Sequence, residues 1–113
     1  MVNIETIRQL ALSFEEAVEL PHFEKASFRV NKKIFATLDV KNKRACLMLS
    51  VIDQSAFSAF DPAIIYPVPN KWGQKGATFV ELRKVRKDVL KDALTFAYCR
   101  IAPKRLAEKY KQS

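Results

Sequence analysis

The chain has 113 residues, 49% of them apolar, and Lys plus Arg outnumber Asp plus Glu by 20 to 12, for a net charge of +8. A domain of this size buries roughly 65% of its unfolded surface, enough to fold without a disulfide or a metal. No window supplies the ~20 apolar residues of a membrane-spanning helix.

The charge is unevenly spread. Residues 1–24 balance to −4, 25–60 to +5, 61–81 to zero and 82–113 to +7. The start, MVNIETIRQLALSFEEAV, is acidic and lacks the basic stretch of a secretory leader. Cys46 and Cys99 lie in apolar segments without motif spacing. Reduced, buried thiols of a cytoplasmic protein are expected.

Ile4, Ile7, Leu10, Ala11 and Phe14 recur at helical spacing behind Asn3, a capping residue, and predict a helix over 4–13. A strand is expected near 19–23. The next stretch alternates around two polar turns, Asn31-Lys32 and Lys41-Asn42-Lys43, giving a meander of strands at 27–30, 33–39 and 44–49. Phe28 and Val30 are expected to share one face, as are Ile34, Ala36 and Leu38. Ser50-x-x-Asp53 has the spacing of a capping box and opens a short helix from 51 to about 59, stopped at Asp61-Pro62. Strands at 64–66 and 77–82 flank a Pro/Gly loop. A wide apolar stripe over 85–101 reads as the longest helix, and Pro103 opens a last short one. The sum is an α+β fold, an antiparallel sheet with helices packed on one face.

Three stretches, SFRVNKKIFATL, YPVPNKWGQKGATFVEL and DALTFAYCRIAPKRL, resemble in order and spacing the signature blocks of the MmcQ/YjbR-like family of small bacterial proteins. The resemblance spans nearly the whole chain and implies one domain over 1–113 with a CyaY-like fold. It also implies a family without an established biochemical activity, for which DNA binding has been proposed. Two positions depart from the family pattern. Ala77 stands where an aromatic residue is frequent, and Tyr98 where tryptophan is frequent. If those rings pack the core, Phe79 and Phe96 are candidates to compensate.

The candidate site residues are cations in three clusters. The loop VPNKWGQKGATF holds Lys71, Trp72 and Lys75 together with both glycines. Gly73 and Gly76 are expected to supply positive φ angles for a sharp reversal. Trp72 either closes the core, with its N–H on a carbonyl, or stacks on an unpaired base. The GxxG spelling matches the KH-domain clamp only weakly, because strands flank it here. Arg83, Lys84, Arg86 and Lys87 crowd the start of the long helix, where cations oppose the macrodipole and acids are the usual choice. Lys32, Lys33, Lys43 and Arg44 stand at the meander turns, where lysines also guard against aggregation. If the clusters share a face, they make a polyanion surface.

Catalytic constellations are poor. His22 is the only histidine, and no Cys-x-x-Cys, phosphate loop or nucleophile elbow is present. Glu15, Glu16, Glu19 and Glu24 form a short acidic cluster in which iron binding would be sought. The expectation is a monomeric, non-catalytic protein without cofactor or metal that binds DNA or another polyanion by its backbone, with low sequence preference. A module using an aromatic groove near Tyr66, Trp72 and Tyr98 is the alternative.

Overall fold

A computed structural model describes residues 2–110. The elements in chain order are α1 (Ile4–Leu12), β1 (Val18–His22), β2 (Lys25–Val30), β3 (Lys33–Asp39), β4 (Arg44–Met48), α2 (Val51–Phe60), β5 (Ile65–Pro67), α3 (Lys71–Gln74), β6 (Ala77–Glu81), α4 (Lys87–Ile101) and α5 (Lys104–Ala107), followed by a 3-10 turn at Glu108–Tyr110. The six strands form one antiparallel sheet in the order β1-β2-β3-β4-β6-β5. The architecture is α+β, with α4 lying across β3 and β4, α1 against α4, and α2 beside β5. No helix among the described residues is long and apolar enough to cross a membrane.

Local chemistry accounts for most boundaries. The Asn3 side chain accepts from the Thr6 N–H and Ser50 Oγ from the Asp53 N–H, so both caps satisfy amides that a helix start leaves open. Val30 and Lys33 pair across a two-residue turn, and Asn31 and Lys32 take φ values of 51° and 66°. That is the mirror-image hairpin turn, whose twist matches the strands it joins.

One face of the sheet is the core. Phe28, Val30, Ala36, Leu38, Leu47 and Val80 are at most 1% exposed. Ile34 does not share the face of Ala36. The ladder slips between β2 and β3 so that Phe28 pairs with Ala36 but Arg29 with Ile34. Phe35 is the extra residue of this bulge, and it enters the core while Ile34 stays half-buried on the other side.

Phe35, Phe14, Tyr98 and Tyr110 make a ring cluster, with Phe14 and Tyr98 stacked at 4.7 Å between centroids and Phe35 edge-on to Tyr98 at 5.5 Å. Tyr98 is fully buried, and its hydroxyl donates to the Glu15 carbonyl at 2.6 Å. Position 98 is thus a core position. Phe79 and Phe96 belong to other contacts, to Tyr66 and Phe57, and do not compensate there.

Burial, and then neighbouring charge, pushes the Tyr98 hydroxyl up to about 12. An unfolded tyrosine titrates near ~10. The folded state holds its proton longer, so the Tyr98 contribution is intact below pH ~10 and lost as pH rises toward 12. Denaturant titrations from pH 9 upward should show this loss, and it should be smaller in Tyr98→Phe.

Candidate polyanion interface

The strands run between two ends of the sheet, separated by about 13 Å along the five residues of β4. The β3–β4 turn (40–43) lies at one end, and the β2–β3 turn (31–32) at the other. This polarity distributes the three basic clusters.

At the 40–43 end, β4 and β6 pair with Arg44 opposite Glu81, and the Leu82 N–H donates to the Lys43 carbonyl at 3.0 Å. The connection from β6 to α4 therefore lies alongside the β3–β4 turn. Segments 39–44 and 81–88 bring seven bases together with three carboxylates. Lys41, Lys43, Arg83, Lys84, Arg86 and Lys87 are all exposed there. The carboxylates are engaged locally. Asp39 accepts from the Asn42 side chain at 2.8 Å, Glu81 from the Tyr66 hydroxyl, and Asp88 pairs with Arg86 at 3.0 Å. The hydrogen bonds from Asn42, with Lys25 and Arg44 nearby, hold the Asp39 carboxyl below its ordinary range. Arg86–Asp88 is the single ion pair made by a candidate cation among the described residues.

Arg44 is built in differently. Its guanidinium lies 4.0 Å from the Phe79 ring centroid on the sheet face that no helix covers, and Tyr66 flanks the same ring at 5.7 Å. Burial first, and then the bond to Glu81, raises the Tyr66 hydroxyl, so it remains a donor. Cys46 lies on this face too, and burial pushes its thiol up, away from the reactive thiolate.

Two features strengthen the 40–43 end. Lys43 adopts φ 50°, a left-handed conformation in which glycine or asparagine is the usual residue. Arg86 occupies the N-cap of α4 without a side-chain cap bond, which leaves first-turn amides available beside four bases. The long helix begins at Lys87 rather than 85, so Arg83 and Lys84 lie on the connection. Lys41 belongs to this surface as well. It was legible in the basic turn Lys41-Asn42-Lys43.

Lys32 and Lys33 lie at the opposite end, on the β2–β3 hairpin. Lys71, Trp72 and Lys75 lie at that end also, in the β5–β6 connection. The three clusters thus do not converge; antiparallel pairing places two segments together and sends the others across the sheet.

The 68–76 stretch corrects further expectations. It is not an open loop but contains α3, capped by Asn70, whose side chain accepts from the Trp72 N–H at 2.8 Å. Trp72 is 61% exposed and does not close the core, because the turn directs Gly73 inward instead. Lys75 Nζ sits 5.6 Å from the Trp72 ring centroid. Of the two glycines, only Gly76 takes a positive φ, 113°. Gly73 is required by contact, since a Cβ there would lie 1.8 Å from the Val68 carbonyl oxygen. Buried Gln54 of α2 donates to the Gly73 and Ala77 carbonyls, at 2.8 and 3.0 Å, and fixes the connection.

No groove joins Tyr66, Trp72 and Tyr98. Tyr66 faces the uncovered side of the sheet, Tyr98 is in the core, and Trp72 is exposed at the 31–32 end. The shallow depression of about 470 Å³ near Trp72 is lined by Gln54, Pro67, Val68, Pro69, Asn70, Gly73 and Gln74. It holds no ionisable side chain. His22 borders an open depression with Phe23, Glu24 and Lys25.

Glu15, Glu16 and Glu19 of the acidic N-terminal cluster each hold a cation. Arg8 bridges Glu5 and Glu19, Arg105 holds Glu16 at 3.0 Å, and Lys109 holds Glu15 at 2.6 Å. The hydrogen bonds from Arg105 hold the Glu16 carboxyl below its usual range. No group of three metal-ligating side chains occurs among the described residues. Two of these pairings take up the C-terminal cations Arg105 and Lys109, and none of the three involves a base of the 40–43 end.

No curated protein matches this chain. The crystal structure of Deinococcus radiodurans protein DR2400, described with a DUF419 domain, superposes with a TM-score of 0.78 at 19% identity, covering 97% of this chain and 88% of that one. At that identity the likeness concerns the fold. A profile of the YjbR family matches residues 12–100, most of the chain. The chain belongs to the YjbR family.

Proposed function

We infer that this protein is a non-catalytic binding protein that holds duplex DNA by its phosphate backbone, with little sequence preference. One observation carries the reading: segments 39–44 and 81–88, distant in sequence, lie side by side with seven bases, of which one is tied in an ion pair. Flexible exposed lysines suit phosphate contacts, which position a protein on DNA without reading bases. Lys32, Lys33, Lys71, Trp72 and Lys75 lie outside this interface.

Salt dependence tests the reading. Neutralising about five phosphates gives a log–log slope near −4.5, so affinity for a 20-bp duplex should fall roughly 10²–10³-fold between 50 and 200 mM salt. A flat response, or no binding at 50 mM, overturns the proposal.

A further inference from the structure

The solvent face of α2 is apolar. Its outward positions are Val51, Ile52, Ser55, Ala56, Ala59 and Phe60, all exposed, with Ile52 at 82% and Phe60 at 83%. None of the six is charged. Apart from Ser55, the polar residues turn inward: Gln54 is buried, and Asp53 and Ser58 are half-buried. This inverts the pattern of a helix whose outer face meets water alone. Phe96 of α4, 48% exposed and 5.6 Å from Phe57 between centroids, extends the patch. Contiguous exposed apolar surface of this kind marks an interaction site.

We propose that this face is the interface of a homodimer, formed by α2 of one copy packing antiparallel on α2 of another. Two observations select a second copy as the occupant. The first is shape. Large side chains stand toward the two ends of the stripe and small ones between them, at Ser55, Ala56 and Ala59. A two-fold axis near Ala56 sets Ile52 of one copy against Ala59 and Phe60 of the other, a self-complementary contact as twofold symmetry requires. The small residues allow the helices to approach closely.

The second observation is charge. Residues 45–70 contain no Lys or Arg and only Asp53 and Asp61, in a chain of net charge +8. Two such copies repel over most of their surfaces, and α2 is where they can meet without that opposition. The stripe is about 15 Å long, so even with Phe96 it belongs with the smaller specific interfaces. A weak, concentration-dependent dimer follows. The chain is then not the strict monomer expected above. This inference does not depend on DNA binding.

Sedimentation equilibrium of the full chain from 10 µM to 1 mM tests it. Reversible dimerisation is expected. It should strengthen as salt rises from 50 to 500 mM and screens the repulsion, opposite in sign to the salt effect on DNA binding. Ile52→Glu and, separately, Ala59→Arg should each weaken association at least tenfold while the folded circular-dichroism spectrum persists, because both side chains are exposed. NMR shifts that change on dilution should map to 51–60. A monomer at 1 mM in 500 mM salt overturns the proposal. So does dimerisation that both folded variants retain, since the contact would then lie elsewhere.

Discussion

Reversing charge at Lys43, Arg83 and Lys84 together should weaken duplex-DNA binding by at least ~10²–10³-fold near 100 mM salt, while reversing Lys71 and Lys75 should change it less than about threefold. Each lost phosphate contact removes ~0.9 from the log–log salt slope, so the first variant should lose about 2.7 and the second almost nothing. The contrast rests on topology. Lys43 and the 83–84 connection are held together by the Leu82–Lys43 backbone bond, whereas Lys71 and Lys75 lie at the other end of the sheet. All five side chains are exposed, so substitution should leave folding intact, which a thermal melt verifies. Fluorescence anisotropy across a salt series separates the cases. Equal loss from both variants would mean that binding follows net charge alone.

Gly76→Val should be the most damaging single substitution in the β5–β6 connection. A side chain at φ 113° is strained, and its Cβ would lie 1.8 Å from the Leu49 carbonyl oxygen, against backbone that cannot yield cheaply. Strain and overpacking together cost about 3–5 kcal/mol, a large share of the ~5–15 kcal/mol that stabilises a typical domain. For a chain of this length the melting temperature should fall by about 15–25 °C. Gly73→Ala should also destabilise, by collision with Val68 alone, because its φ is not positive. Calorimetry of the two variants ranks these terms. Unchanged melting of Gly76→Val would mean that the connection does not pack on Leu49.

Both experiments probe consequences of one arrangement. The 68–76 connection is a rigid structural clasp, tied by Gln54 to two carbonyls and by Gly76 to the end of β4. The 40–44 and 81–88 segments are held by the Leu82–Lys43 backbone bond and by buried Leu82 and Val85, while their basic side chains remain exposed, save for the stacked Arg44. The connection that holds the chain's only tryptophan thus carries two lysines, whereas the larger group of seven bases lies at the opposite end of the sheet.

Periodicity and caps were sufficient for the six strands and for every helix but the short α3, because those signals act over a few residues: Asn3 and Ser50 start their helices where the side-chain oxygens meet open amides. The chain's order of blocks was likewise enough for the family and the α+β class. Tertiary structure alone decided which cations are neighbours, since insertion of β6 between β4 and β5 joins residue 43 to residue 82 and leaves 71–75 at the far end. It also decided that Tyr98 is buried and Trp72 exposed, and that a bulge turns Phe35 into the core. Those outcomes depend on contacts between residues far apart in the chain, and no local pattern encodes them.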